Sequence, residues 1–258
     1  MINKYLKNLN RIEFVVTTAC TGRCRHCSQG DHKSSENIDK FLAADAVRKI
    51  AREYNIKSVM TFGGESLLYS DTVCEIHKAA SEMGIPERQL ITNGYFSKDY
   101  YVIKSVARNI AESGVNEILL SADAFHQETV PIEFVKEFAN SVKVDGIELK
   151  VQPAWLVSSD DNNEYNIRTR EILAEFNKMG IDTNEGNVIF PSGNALVYLK
   201  DYFDENNLPE NPYREDPENI KAICFSANGD ILGDNIYNND IIKILSSYDP
   251  INTDFSAN

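Results

Sequence analysis

Strand-like and helix-like apolar periods alternate along this chain, and that alternation restricts its fold more than any other feature. Residues 11–17 are β-branched and aromatic and predict a strand. Residues 43–54 follow with Ala43, Val47, Ile50, Ala51 and Tyr54 at helical spacing. The same pair recurs: a strand at 58–62 closed by Gly63-Gly64, then a helix from about Ser70 with Val73, Ile76, Ala80 and Met83 on one face. Residues 89–92 make a third strand, stopped by Asn93-Gly94, and a helix carrying Val102, Val106 and Ile110 ends near Gly114. Strands at 117–121, 146–152 and 187–190 continue the series, separated by helices over 131–142 and around Ile172, Phe176 and Met179. Six such units predict an α/β fold, a partial (β/α)6 TIM-like barrel with parallel strands and helices outside. Every strand then delivers its C-terminal end to the same rim.

The pattern breaks at residues 201–219, where Pro209, Pro212 and Pro217 sit among seven acidic residues, as in a surface loop. Beyond it, residues 222–225 and 230–232 flank Asn228-Gly229, which predicts a short C-terminal hairpin. The expected organisation is residues 1–200 as the barrel and 201–258 as a small extension in the same globule. A length of 258 residues suffices for one sizeable core.

The net charge is −13, from 26 basic and 39 acidic residues, and it excludes a phosphate backbone as partner because no basic cluster offsets it. Apolar runs are far too short to span a membrane. No apolar segment follows Lys4, Lys7 and Arg11, so no export signal is expected. With five cysteines, an odd number, this argues against a disulfide framework and for a reducing, cytoplasmic location.

Three of the five cysteines fall in Cys20-Thr21-Gly22-Arg23-Cys24-Arg25-His26-Cys27, directly after the first strand. Three thiolates so close together can wrap one metal centre, and soft sulfur suits an iron–sulfur cluster or zinc. Arg23 and Arg25 favour the thiolate form and offset a cluster's charge. Zinc with His26 as fourth ligand is the alternative, against which stands the awkward adjacency of His26 and Cys27; unliganded thiols are the third reading. A 4Fe-4S cluster on three cysteines leaves one iron open to another molecule.

C-x3-C-x2-C after the first strand, with Gly63-Gly64-Glu65 ending the second, resembles the radical S-adenosylmethionine (radical SAM) superfamily over about residues 11–195. The resemblance implies that Cys20, Cys24 and Cys27 ligate one 4Fe-4S cluster. It implies that S-adenosyl-L-methionine chelates the open iron and is cleaved to a 5′-deoxyadenosyl radical that takes hydrogen from a substrate. It places His26 beside adenine, and Gly63, Gly64 and Glu65 at the methionyl amino group. Thr92, Asn93, Ser121, Asp123 and, on the fifth strand, Gln152 become candidates for the ribose hydroxyls or the methionyl carboxylate. Asn93-Gly94 also reads as a plain turn and Asp123 as a helix cap. His126 can reach the same rim. All these residues follow C-terminal strand ends, where α/β barrels bind ligands.

Residues 224–234 resemble the opening hairpin of the cysteine-rich SPASM or twitch extension of some relatives, with only Cys224 present. One cluster and a degenerate remnant of that extension are therefore expected. Cys224 is a candidate hydrogen-atom donor to a substrate radical, or else a buried small hydrophobe. Cys74 reads as structural. The expected partners are a peptide or small-molecule substrate and a reductant such as flavodoxin or ferredoxin. Ribosomal peptide modification is the first reading for substrate, although no winged-helix leader-binding domain is expected before the strand at residue 11. A small-molecule enzyme or a glycyl-radical activase is the alternative, and a metal-binding module without turnover is the non-enzymatic one.

Overall fold

The computed structural model describes residues 2–30, 34–204 and 214–251. Its elements run β1 (Arg11–Val15), α1 (Lys40–Glu53), β2 (Ser58–Phe62), α2 (Ser70–Glu82), β3 (Glu87–Thr92), α3 (Tyr100–Glu112) and β4 (Glu117–Ser121). They continue with α4 (Ala124–Gln127), α5 (Ile132–Val144), β5 (Glu148–Gln152), β6 (Ala154–Trp155), α6 (Glu164–Lys178), β7 (Asp182–Thr183) and β8 (Asn187–Val188). The last are α7 (Asn194–Tyr198), β9 (Ala222–Phe225), β10 (Asp230–Ile231), β11 (Asp234–Asn235) and α8 (Ile241–Ser247).

The main sheet has seven strands in the order β7-β5-β4-β3-β2-β1-β9, and all its pairs are parallel. From β1 to β7 each crossover steps in the same direction, so right-handed connections put their helices on one face. That face is the core: Ile12, Phe14, Leu90, Ile118, Leu120 and Val151 are fully buried with Val47, Ile50, Ile76, Ile110 and Phe138 from the helices. Asp39 starts α1 by accepting from the backbone N–H of Phe41 and Leu42, and Asp99 does the same for Tyr101 at α3.

The other face is concave and polar. Parallel register brings Glu13, Met60, Gln89, Glu117, Glu148 and Cys224 into one row across six strands. Arg11 pairs with Glu13 at 2.5 Å and donates to Gln89, whose amide donates to Glu117. Lys150, which shares this face, pairs with Glu148 at 2.6 Å. A closed barrel would fill this face with branched apolar side chains. Here a ladder of charged and amide groups lines it instead.

Two expectations need correction. The sixth strand of the sheet is β7, beside β5, and not residues 187–190; β8 pairs with β6 in a separate two-stranded sheet. Apolar content misleads there, because the two polar residues of β7 follow directly on the buried Ile181, three residues past the end of α6, which anchors them at the sheet edge. Residues 222–225 are likewise not one arm of the hairpin. They form β9, parallel to β1, with Phe225 stacked on Phe14 at 4.6 Å between ring centroids. Burying each of those rings contributes roughly 1.5–3 kcal/mol, which a small solvent-facing hairpin would forgo. The hairpin itself is formed by β10 and β11, through Leu232-Gly233. Residues 205–213 of the expected surface loop lie outside the described residues.

Candidate active site

The cysteine loop leaves β1 at the C-terminal rim. Gly22 sits inside it: a Cβ there would lie 3.2 Å from Cys24 Sγ and 3.7 Å from Cys20 Sγ, so a side chain would fill the space between two sulfurs. Outside, Asn194 on α7 donates through its backbone N–H to the Cys27 carbonyl at 2.9 Å and through Nδ2 to the Cys24 carbonyl at 3.2 Å. Arg23 donates to the Cys20 and Gly22 carbonyls, and Thr129 accepts from the Arg23 backbone N–H. Burial pushes the Cys20 thiol up to about 11 and raises Cys24 and Cys27 as well, so the thiols hold their protons until a cation displaces them.

Sulfur spacing separates the two metal readings. A single zinc ion at about 2.3 Å from each sulfur would hold three of them roughly 4 Å apart. Among the described residues, the one group of three His, Cys, Asp or Glu donors within 4.8 Å of one another is His26, Asp123 and His126. The three cysteines do not form such a group. Wider spacing fits a polynuclear iron–sulfur centre, and the His26 ring faces Phe125 and His126, with centroids at 5.1 and 4.7 Å.

Gly63-Gly64-Glu65 is joined to that loop by backbone. Gly64 donates to the Thr17 carbonyl and Glu65 to the Ala19 carbonyl, both at 2.8 Å. The contact needs both glycines. A Cβ on Gly63, whose φ is +150°, would meet the Thr17 oxygen at 2.4 Å, and one on Gly64 would meet the Ala19 oxygen at 2.2 Å. The Glu65 side chain is fully buried and accepts from Thr92 Oγ1 at 2.6 Å, from Leu67 N–H at 2.9 Å and from Asn93 N–H at 2.8 Å. Three donors fill most of its roughly four lone-pair directions. Burial still raises its pKa, against those hydrogen bonds. Asn93 Nδ2 reaches back to Thr21 Oγ1 at 3.2 Å. Cys20, Glu65, Thr92 and Asn93 thus form one connected unit.

Asp123 anchors a second unit at the end of β4. Its Oδ1 caps α4 by accepting from Phe125 and His126 N–H, and its Oδ2 accepts from Ala154 N–H at 3.0 Å and contacts His126 Nδ1 at 2.8 Å. Burial alone would raise the Asp123 carboxyl, but the His126 charge and hydrogen bond hold it far below the usual carboxylate range. His126 is shifted upward in turn, because Asp123 outweighs its own burial. Burial lowers His26 to about 4, so its ring is neutral, and its Nδ1 is buried without a partner. Both polar atoms of the neighbouring Gln127 side chain are buried and unpartnered too. The Asp-x-x-His spacing in residues 123–126 is the sequence signal for this pair, and it outranks the weight His126 receives from sequence alone.

The remaining candidates stand apart from these units. Ser121 and Gln152 lie opposite each other on the concave face, where Gln152 accepts from Asn184 at 3.2 Å. Cys224 is exposed in mid-strand opposite Glu13, below the rim that carries the other cysteines.

Comparison with known proteins agrees with this geometry. The family profile described as the Radical SAM superfamily matches residues 14–148, which is 135 of 258 residues. A probable GTP 3′,8-cyclase of Saccharolobus solfataricus is 27% identical over 219 residues, covering 81% of this chain and 67% of that protein. Another from Methanocaldococcus jannaschii is 26% identical over 131 residues, covering 50% of this chain and 41% of that protein. In fold, the chain is similar to anSMEcpe with bound AdoMet, with a TM-score of 0.62, 13% identity and coverage of 94% of this chain and 81% of that one. It is also similar to BtrN in complex with AdoMet and 2-DOIA, with a TM-score of 0.53, 13% identity and coverage of 94% and 83%. With its cysteine loop locked to the glycine turn and the family match spanning both, the chain belongs to the radical SAM superfamily, whose enzymes use a 4Fe-4S cluster and S-adenosylmethionine.

Proposed function

We propose that this enzyme abstracts a hydrogen atom from a small polar molecule held on the concave face of the sheet, beneath the cysteine rim. The observation that carries the reading is the continuity of the two. Cys20, Glu65, Thr92 and Asn93 are hydrogen-bonded or packed into one rim unit, and the wall below it is a polar ladder in place of an apolar core. When bound, the cluster supplies one electron that cleaves S-adenosylmethionine into methionine and a 5′-deoxyadenosyl radical, the hydrogen-abstracting species.

In this proposal Cys20, Cys24 and Cys27 hold the cluster, and Gly22 keeps the space between the sulfurs clear. Gly63 and Gly64 let the chain pass close to the cysteine loop, so the two halves of the cofactor site are set by backbone and not by mobile side chains. Glu65 braces the ends of β2 and β3 and keeps about one lone-pair direction for an ammonium group. Asp123 fixes the His126 imidazole by its Nδ1 edge, while the half-buried His26 ring, backed by the buried Phe125, offers a face to a purine. Ser121 and Gln152 present polar atoms to whatever occupies the concave face. Arg11, Glu13, Glu117 and Lys150 supply charges of both signs there, which suit a polar substrate and would leave an apolar one facing unpaired groups. The named relatives act on a small molecule by their descriptions, which supports this substrate class over a peptide.

The test is anaerobic purification, reconstitution with iron and sulfide, reduction with dithionite and assay of 5′-deoxyadenosine. Wild type carrying about four irons on its three cysteines should form it, and Cys24→Ala should lose both cluster and product. Absence of cleavage by a four-iron protein, or unchanged cleavage in Cys24→Ala, would sink the reading.

A further inference from the structure

We propose that α7 and the outer side of the cysteine loop form the docking surface for a small acidic electron-carrier protein. The inference concerns how electrons arrive. It rests on the cluster, not on the identity of the substrate.

Helix α7 buries Ala195, and the chain after it buries Leu199, against Phe125, Leu156 and Ile189. The three residues between them face outward: Leu196 is 49% exposed, Val197 64% and Tyr198 57%. Three consecutive large apolar side chains on a surface are costly without a partner. Tyr202, also exposed, extends the patch through its ring contact with Tyr165, and Tyr165 accepts a hydrogen bond from Arg25.

Charge is the second feature of this surface. A cleft of about 580 Å³ beside Tyr198 and Asn194 is lined by Arg23, Arg25 and Glu128; Arg25 is ion-paired with Glu128 at 3.3 Å, and Arg23 is the cation in the lining with no opposite charge beside it among the described residues. That gives a local charge of +1 on a chain of net charge −13. An acidic partner is repelled by most of this protein and is steered to such a spot.

Position supplies the function. Asn194, at the start of α7, is hydrogen-bonded to the carbonyls of Cys24 and Cys27, so only Asn194 and Ala195 lie between the patch and two of the cysteines. Electron transfer weakens steeply with distance, and this surface offers a short covalent and hydrogen-bonded path to the cysteines. In the step proposed, the reduced carrier loses one electron and the enzyme's oxidised cluster gains it, with no atom transferred.

The experiment uses the reconstituted holoenzyme with two probes, a flavodoxin and a ferredoxin, and reads carrier affinity by calorimetry at low and high salt. At least one carrier should bind wild type with an affinity that falls as salt rises. Val197→Glu and Tyr198→Glu should each weaken it by about tenfold, as substitutions at a buried anchor do. Val197→Lys should bind at least as well as wild type, which general damage to the helix would not allow. Dithionite needs no docking surface, so dithionite-driven formation of 5′-deoxyadenosine should be unchanged in all three variants. The proposal is overturned if neither carrier binds wild type, or if the glutamate variants bind as well as wild type. It is also overturned if dithionite-driven turnover falls in parallel, or if the patch proves to bury a second copy of this chain by sedimentation. Binding can be read even if no cleavage is found, so failure here is distinct from failure of the proposed function.

Discussion

Replacing Gly64 by alanine tests whether the two halves of the site are one backbone unit. The added Cβ would lie 2.2 Å from the Ala19 oxygen, 2.6 Å from the Ala19 carbonyl carbon and 2.9 Å from the Thr18 oxygen. All three are backbone atoms, so no rotamer change relieves the clash and the cysteine loop itself must move. Moving it breaks the bonds from Gly64 to Thr17 and from Glu65 to Ala19, each worth about 1 kcal/mol net. Overpacking adds about 1–3 kcal/mol, for a total near 3–5 kcal/mol. At roughly 2–4 °C per kcal/mol for a chain of this size, the apo-protein should lose about 6–20 °C in Tm. Gly84→Ala is the control, because Gly84 has φ +69° but nothing within 4 Å of an added Cβ. It should lose only the left-handed backbone cost of about 1–2 kcal/mol and keep its iron. Thermal melts of the apo-proteins, with iron and sulfide content after reconstitution, decide the matter. If Gly64→Ala matches Gly84→Ala in stability and loads a full cluster, the close approach of the turn to the cysteine loop is not what holds the site.

Thr92→Val removes the hydroxyl that donates to Glu65 and accepts from Gly94 N–H, leaving buried groups unpaired at nearly constant volume. Urea unfolding of the apo-protein should show a loss of about 1–3 kcal/mol, and a loss below 0.5 would contradict the buried network. The Asp123–His126 pair predicts a pH signature. The Asp123 pKa is depressed from 3.8, so its contribution is present above that value and is lost as pH falls through the lower folded pKa. The His126 pKa is raised from 6.5, so its contribution is complete below that value and is lost as pH rises through the higher folded pKa. His26 and His77, whose pKa values burial lowers to about 4 and about 3, act in the opposite direction below pH 6.5, so the pair is read as a difference between variants: His126→Gln should cost apo-protein stability at pH 5, and that cost should shrink by pH 8.5. An equal gap in urea midpoint between wild type and His126→Gln at the two pH values would refute the coupling.

Much of this architecture is legible in residue order. The helix over residues 70–82 and the strands over 58–62 and 117–121 have their apolar residues at the right period for their neighbours to bury. The cysteine triplet and Gly63-Gly64-Glu65 are local strings, and their placement at strand ends follows from parallel topology. Misreadings occur where long-range pairing outweighs local content. Asp182-Thr183 is too short and polar to announce a strand, yet it pairs with Lys150-Val151. Ala222-Ile-Cys-Phe reads as a hairpin arm, but its neighbour in the sheet is β1, some two hundred residues away in the chain.

The amino-acid order by itself determined that this chain is an α/β protein of alternating strand and helix with three cysteines directly after its first strand, because period and spacing are local properties. It also set the number of spare thiols, and with them the expectation of one cluster. Only the tertiary structure decided that the glycine turn touches the cysteine loop through backbone and that Asp123 partners His126 beside His26. The polar ladder on the concave face and the exposed apolar side of α7 next to Cys24 and Cys27 were settled at the same level. Each of these depends on which residues from distant segments share a face, and chain order constrains that only through the packing of the whole fold.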